Sequence, residues 1–314
     1  MAEYTAYFKG EWMPFSQVKI DPMDRGFTVG DVVFDVARTF NGKSFRMEDH
    51  IQRLYRSLKF VRIDPGLSAK EMLDISEEVV QRNDHLRAEV GDFTITQFVT
   101  RGPGSSSRSA GPPAVCVKVA PIGFGRFADL FKDGAHGVIT RTRSYPVESL
   151  DPKVKNYSRM NFNLADLEAA DVDPEAWPIL TDAEGSLTEG TGYNVFLVTD
   201  GVIRTPGDRN ILQGVSRGMV FDLARQLNIP LVEEDLQPYD LYTADEAFFS
   251  GTSPCVLPVS KVDQREIGWP AGPDRAAALV GLERDGGDGH RRPSVTVQQG
   301  VAGKPRLRAT LFPV

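Results

Sequence analysis

The sequence predicts a mixed α/β protein of two domains, and three observations lead there. Strand-like and helix-like segments alternate along most of the chain. A cluster of glycine and proline near residues 121–125 separates them into two groups. The length of 314 residues is enough for two ordinary hydrophobic cores. Charged residues make up 25% and hydrophobic residues 41%, which suits a folded globular chain and is too apolar for a disordered one.

The first domain, expected over residues 1–120, opens with short strands at 4–8, 17–20 and 43–46, each bounded by Gly or Pro. Between them, Gly30 to Phe40 carries Val32, Phe34, Val36 and Phe40 at period two but also fits part of a helical pattern, so strand and helix both stay open. From Met47, apolar Ile51, Leu54, Tyr55, Leu58 and Val61 recur at helical spacing. Glu48 and Asp49 stand in the first turn, where a helix dipole favours acids. A second helix is predicted over 69–82, then strands over 92–100 and 114–119 joined by a Gly/Pro/Ser-rich loop.

A linker is expected over 121–126 and the larger second domain over 127–268. It should hold strands near 137–142, 177–181, 194–199 and 246–250, and helices near 158–170 and 215–227. From Trp269 the text turns rich in Gly, Arg and Pro and loses periodicity. Residues 269–314 are therefore read as a separate tail, either divergent or frame-shifted.

Composition excludes several functions. With 36 basic and 43 acidic residues the net charge is −7, and no helix clusters Lys and Arg as a nucleic-acid surface requires. Cys116 and Cys255 are far apart and lie outside any CxxC or Cys/His spacing, so neither a disulfide framework nor a metal site is expected. The N-terminus lacks the basic-then-apolar order of a signal peptide, and no apolar run is long enough to span a bilayer. The expected location is the cytoplasm.

The chemistry is concentrated in three segments: 151–169 (DPKVKNYSRMNFNLADLEA), 184–198 (EGSLTEGTGYNVFLV) and 212–220 (LQGVSRGMV). A lysine that forms an imine must lose its proton near neutrality, which requires burial or a neighbouring cation. By itself a Lys in KVKNYSR would be a solvated charge, so its meaning depends on the other segments. Gln213-Gly214-Val215-Ser216 opens a helix, and its first-turn N–H groups suit an anion. Ser250-Gly251-Thr252-Ser253 offers small residues and hydroxyls directly after an apolar strand.

Together these segments resemble the fold-type IV, or class IV, aminotransferases that use pyridoxal 5'-phosphate. That family includes branched-chain and D-amino acid aminotransferases, (R)-selective amine transaminases and aminodeoxychorismate lyases. The resemblance covers about residues 5–265. It implies a D-amino acid aminotransferase-like fold of two domains, with the cofactor between them and its lysine on the larger, C-terminal one. It also implies a homodimer in which N-terminal loops complete the neighbour's site.

In this family a lysine precedes an N-x-L-A-x-x-E-A helix; Leu164, Ala165, Glu168 and Ala169 keep that spacing, with Asn163 one place nearer, and lead back to Lys155, with Lys153 as competitor. The D-P-x-V-K-N form of Asp151 to Asn156 is similar to the (R)-amine version, which also selects Lys155. Glu189, Gly190 and Asn194 match E-G-x-x-x-N, which implies that Glu189 keeps the cofactor's pyridine nitrogen protonated. The phosphate is expected at Gly214, Val215, Ser216, Thr252 and Ser253, with Arg53 of the H-x-x-R-L motif as cation.

For substrate, the resemblance points to Phe34, Val36, Arg38 and Arg101. Branched-chain enzymes read F-E-G-x-R where this chain has Phe34-Asp35-Val36-Ala37-Arg38, and Val36 replaces the glycine. Thr100-Arg101-Gly102 resembles the T-R-G of D-amino acid and (R)-amine enzymes, which implies Arg101 as partner of a substrate carboxylate, with Arg38 as second candidate and a structural ion pair as the alternative for both. The expectation is transfer of an amino group from an (R)-amine or D-amino acid to a 2-oxo acid such as pyruvate. An L-branched-chain aminotransferase and an aminodeoxychorismate-type lyase are the alternatives.

Overall fold

The computed structural model describes residues 3–268 and, as backbone, 297–299 and 305–307. The tail reading therefore lies almost wholly outside the described residues. The chain divides into two compact units. Unit 1 comprises residues 1–123 with Lys153–Met160, and unit 2 comprises Phe124–Pro152 with the chain from Asn161 onward.

In unit 1, β1 (Thr5–Phe8) and β2 (Glu11–Pro14) form a hairpin. The short helix α1 (Arg25–Val29) leads into β3 (Val32–Phe40) and β4 (Lys43–Phe45), and helices α2 (Met47–Val61) and α3 (Ala69–Asn83) follow. One helical turn, α4 (Arg87–Val90), precedes β5 (Phe93–Thr100) and β6 (Val115–Pro121). The six strands pair antiparallel in the order β2-β1-β6-β5-β3-β4. α2 and α3 pack on the sheet through Ile51, Leu54, Leu58, Met72 and Val79 against Phe93 and Ile95, all at most 2% exposed.

The ambiguous segment 30–40 is a strand, because seven ladder pairs to β5 satisfy its backbone. The strand expected at 17–20 does not form. Phe15–Gln17 is a 3₁₀ turn, and the Val18 N–H donates to Phe15 O rather than to a neighbouring strand. α3 begins with a capping box in which Ser68 and Glu71 satisfy each other's backbone N–H groups.

Unit 2 contains α5 (Gly125–Asp133), β7 (Ala135–Ile139), α6 (Met160–Val172, which starts on the last residue of unit 1), β8 (Trp177–Thr181), β9 (Leu187–Gly190), β10 (Asn194–Thr199) and β11 (Val202–Pro206). There follow α7 (Val215–Gln226), β12 (Leu231–Glu234), α8 (Pro238–Tyr242), β13 (Glu246–Gly251), β14 (Cys255–Val262) and β15 (Arg265–Glu266). The sheet order is β12-β11-β10-β13-β14-β7-β8-β9, and β9 also pairs with β10. Six strands therefore form a closed ring, and the closing pair is Glu189 with Asn194. Inside it pack Ile179, Val195, Leu197, Phe249, Leu257 and Val259, at most 1% exposed. Among the described residues no helix is long and apolar enough to cross a membrane.

The lysine segment sits in a different unit from the one expected. Residues 153–160 group with unit 1, although sequence reasoning assigned them to the larger domain. The reason is backbone pairing. Strand β4 covers only the last residues of β3, and the open edge of its first half is filled by 155–157. There the Phe34 N–H donates to Lys155 O at 3.0 Å, the Tyr157 N–H donates to Val32 O at 3.1 Å, and Val33 bridges Asn156. Unpaired edge groups are costly, and this short stretch satisfies them.

Candidate active site

In unit 1, the alternation of an extended chain sets the side chains of 154–157. Val154 is 5% exposed and joins the core under α2, so Lys155 turns the other way. Its Nζ lies 4.7 Å from the centre of the Phe34 ring, and Tyr157 stacks on the same ring at 4.2 Å. Burial pushes the Tyr157 hydroxyl up to about 12.

The next residue of β3, Asp35, is fully buried. Its Oδ2 accepts from Arg53 Nε at 2.8 Å, and its Oδ1 accepts from Arg53 Nη2 at 2.8 Å, from the Val36 N–H at 2.8 Å and from His50 Nδ1 at 2.7 Å. Burial opposes ionisation most strongly, yet Arg53 and His50 together hold the carboxyl well below the usual carboxylate range. His50 is displaced downward, first by its burial and then by the Arg53 and Lys155 charges, against the pull of Asp35.

The other two arginines are differently placed. Arg101 Nε and Nη2 donate to the Asp31 carboxylate at 2.5 and 3.1 Å, Nη1 to Arg62 O at 3.1 Å, and Nη2 also to Val61 O at 2.7 Å. Every nitrogen of its guanidinium is thus engaged within unit 1. Arg38 is 4% exposed, donates from Nε to Thr39 O and lies 3.9 Å over the Phe40 ring. In the D-R-G turn, Asp24 caps α1 by accepting from the Gly26 N–H, and its other oxygen accepts from Thr100 Oγ1.

In unit 2, Glu189 is the penultimate residue of β9 and is 6% exposed. Its Oε2 accepts from the Leu212 N–H at 3.1 Å and from Asn194 Nδ2 at 3.3 Å. Asn194 Nδ2 also donates to Leu212 O at 3.0 Å. Gly214 caps α7, so the N–H groups of Val215 and Ser216 open the helix. Thr252 and Ser253 are half-buried in the turn between β13 and β14. The motif helix α6 buries Ala165 and Ala169 completely, while Glu168 ties the loop before it by accepting from the N–H groups of Arg141 and Thr142.

The family model for amino-transferase class IV matches residues 32–262. The chain belongs to the class IV aminotransferases. A relative named "Putative branched-chain-amino-acid aminotransferase" from Methanocaldococcus jannaschii is 37% identical over 83% of this chain and 88% of its own. D-alanine aminotransferase of Staphylococcus aureus is 30% identical over 83% of this chain and 90% of its own. Among solved structures, the branched-chain aminotransferase of Thermoproteus uzoniensis with norvaline superposes with a TM-score of 0.82 at 27% identity, covering 91% of this chain and 96% of that one. The T.th. branched-chain amino acid aminotransferase complexed with N-(5'-phosphopyridoxyl)-L-glutamate gives 0.82 at 25% identity, covering 93% and 96%.

Aminotransferases of this class work with pyridoxal phosphate, as the motifs led us to expect. Unit 2 of this aminotransferase fits such a group. Directly opposed residues of antiparallel strands share a face, so Glu189, Asn194 and Ser250 line up across β9, β10 and β13. The Ser250 hydroxyl in that row is 1% exposed and has no hydrogen-bond partner among the described residues, an expensive state unless a ligand meets it. At Gly214 a Cβ would lie 2.2 Å from Asn194 Oδ1, so the helix start is bare backbone.

Sequence reasoning passed over Asp31 and Asp35 as partners of Arg101 and Arg53. The signal for Asp35 was present, because an acid inside the apolar strand VVFDVA must be paired if buried. Ser250 gave no signal beyond its small size. Arg53→Ala is expected to lower stability by about 3–5 kcal/mol, read by thermal melting, since it leaves Asp35 buried without its cation. The folded carboxyl titrates below its unfolded value near 3.9. Its contribution is therefore present above that pH and is lost only as the pH falls well below it.

Proposed function

We propose that this aminotransferase transfers amino groups between L-branched-chain amino acids and 2-oxo acids, as a cytoplasmic homodimer. The observation that carries the substrate class is the engagement of Arg101. In the D-amino acid and (R)-amine readings that guanidinium is a candidate to receive the carboxylate of the amino acid or of the 2-oxo acid. Here Asp31 and the carbonyls of Val61 and Arg62 hold it. The similarity to branched-chain aminotransferases supports the same reading.

Bound pyridoxal phosphate supplies the electron sink that stabilises negative charge on the substrate's Cα. Lys155 is the residue that would hold the cofactor, and its amine would be the base that moves the proton at the substrate's Cα. Glu189 keeps the ring nitrogen's proton in place. The first N–H groups of α7 at Val215 and Ser216, beside Gly214, bind the phosphate with the hydroxyls of Thr252 and Ser253, and Arg53 contributes a cation fixed by Asp35. Phe34 orients the Lys155 amine through its ring face, and it lines the substrate side with Val36 and Arg38.

A second reading, D-amino acids or (R)-amines, is favoured by Val36, which adds bulk where branched-chain enzymes carry glycine. One panel separates the two. The protein loaded with pyridoxal phosphate is mixed with L-leucine, L-valine, D-alanine and both enantiomers of 1-phenylethylamine, and loss of the lysine-bound cofactor's absorbance is followed. Conversion by L-leucine and L-valine alone is expected. Conversion by D-alanine or the (R)-amine alone would move the assignment to the second reading. Arg101→Ala, in the same panel, is expected to change the KM for each substrate by less than about threefold while lowering the melting temperature.

A further inference from the structure

We infer that Asn194 is a positioning residue that sets Glu189 toward the cofactor's ring nitrogen and couples that acid to the phosphate-binding start of α7. The inference rests on the cofactor reading above and extends it to a residue with no assigned role.

Asn194 stands at the point where the six-stranded ring closes, opposite Glu189 on one side and Ser250 on the other. It is 4% exposed, so its carboxamide must find partners inside the protein. Nδ2 has two donor hydrogens and two acceptors, Glu189 Oε2 at 3.3 Å and Leu212 O at 3.0 Å. The Leu212 N–H reaches the same Oε2 at 3.1 Å. One carboxylate oxygen is therefore gripped twice, by the carboxamide and by the backbone that the carboxamide itself holds. That arrangement fixes the rotation of the carboxylate, which is what aiming it at a neighbouring ring nitrogen requires.

The other end of the carboxamide meets the helix. A Cβ on Gly214 would fall 2.2 Å from Asn194 Oδ1 and 3.2 Å from Arg217 Cβ. Residue 214 is thus glycine because the start of α7 lies against Asn194. Any movement of Asn194 is felt by Glu189 through Nδ2 and by residues 212–214 through both ends. A substitution at Gly214 that pushes on Oδ1 should therefore disturb Glu189 without touching it.

The test compares two ligands of the cofactor-free protein: pyridoxal phosphate and the analogue in which the ring nitrogen is replaced by CH. Both carry the phosphate and the aldehyde, so the ratio of their affinities reads the ring-nitrogen contact alone. Wild type is expected to prefer pyridoxal phosphate by roughly ten- to a hundredfold, the range for a hydrogen bond to a charged group. In Asn194→Ala that preference should fall about five- to tenfold, with a smaller change in the analogue's own affinity. Gly214→Ala should lower the same preference in the same direction even if Asn194→Ala does not fold.

Wild type without any preference would mean that Glu189 does not meet the ring nitrogen, and the cofactor reading itself would then fail. A wild-type preference retained in full by whichever of the two variants folds would overturn the role of Asn194 while leaving that reading intact. Equal losses for both ligands would also overturn it, since Asn194 would then be a structural bracket only.

Discussion

Lys155→Ala is expected to abolish the loss of cofactor absorbance on mixing with an amino donor and to lower kcat by at least roughly 10³-fold, the scale of losing the group that moves the proton. Lys153→Ala is the control and should retain kcat within about twofold. Stopped-flow absorbance and steady-state assays give both numbers. The two lysines sit two residues apart, Lys153 in a turn and Lys155 beside the bridge of Asn156 to Val33, so spacing in the sequence cannot choose between them. The pairing of Asn156 with Val33, flanked by the bonds of Lys155 O and the Tyr157 N–H, fixes the register and sets the Lys155 amine against Phe34. If Lys153→Ala bleaches nothing while Lys155→Ala bleaches normally, the lysine is misassigned.

Glu189→Gln should keep the shape of the site and lose kcat by roughly 10²-fold or more, because an amide cannot stabilise the pyridinium proton as a buried carboxylate does. Cofactor should still bind, held by its phosphate, and absorbance titration checks that. The informative comparison is Glu168→Gln, which alters the other acid of the family motifs. Glu168 accepts from the backbone of Arg141 and Thr142 and from the Thr142 hydroxyl, so its loss should lower the melting temperature and leave kcat within about twofold. Equal kinetic losses in the two variants would remove the special role of Glu189.

Short-range patterns carried much of the fold. Helical spacing in 47–61 matched α2 through to its last turn, and the strand expected over 92–100 matched β5 within one residue. Of the strands buried on both faces, β8, β10 and β13 were legible and β14 was not. β14 (CVLPVSKV) has five consecutive buried residues and so shows no alternation to read. β9 and β11 are only four and five residues long, and pairing within the sheet rather than propensity holds them extended, β9 in the ring and β11 between β10 and β12.

The sequence by itself determined the family, the cofactor and the segments that matter, because those are written in local motifs whose spacing survives without a fold. Only the tertiary structure decided which unit holds the lysine, since that depends on an open stretch of β3 edge more than 100 residues earlier in the chain. It alone decided what the arginines do. A guanidinium is equally able to meet a substrate or a carboxylate of its own protein, and only the fold brings Asp31 to Arg101 and Asp35 to Arg53.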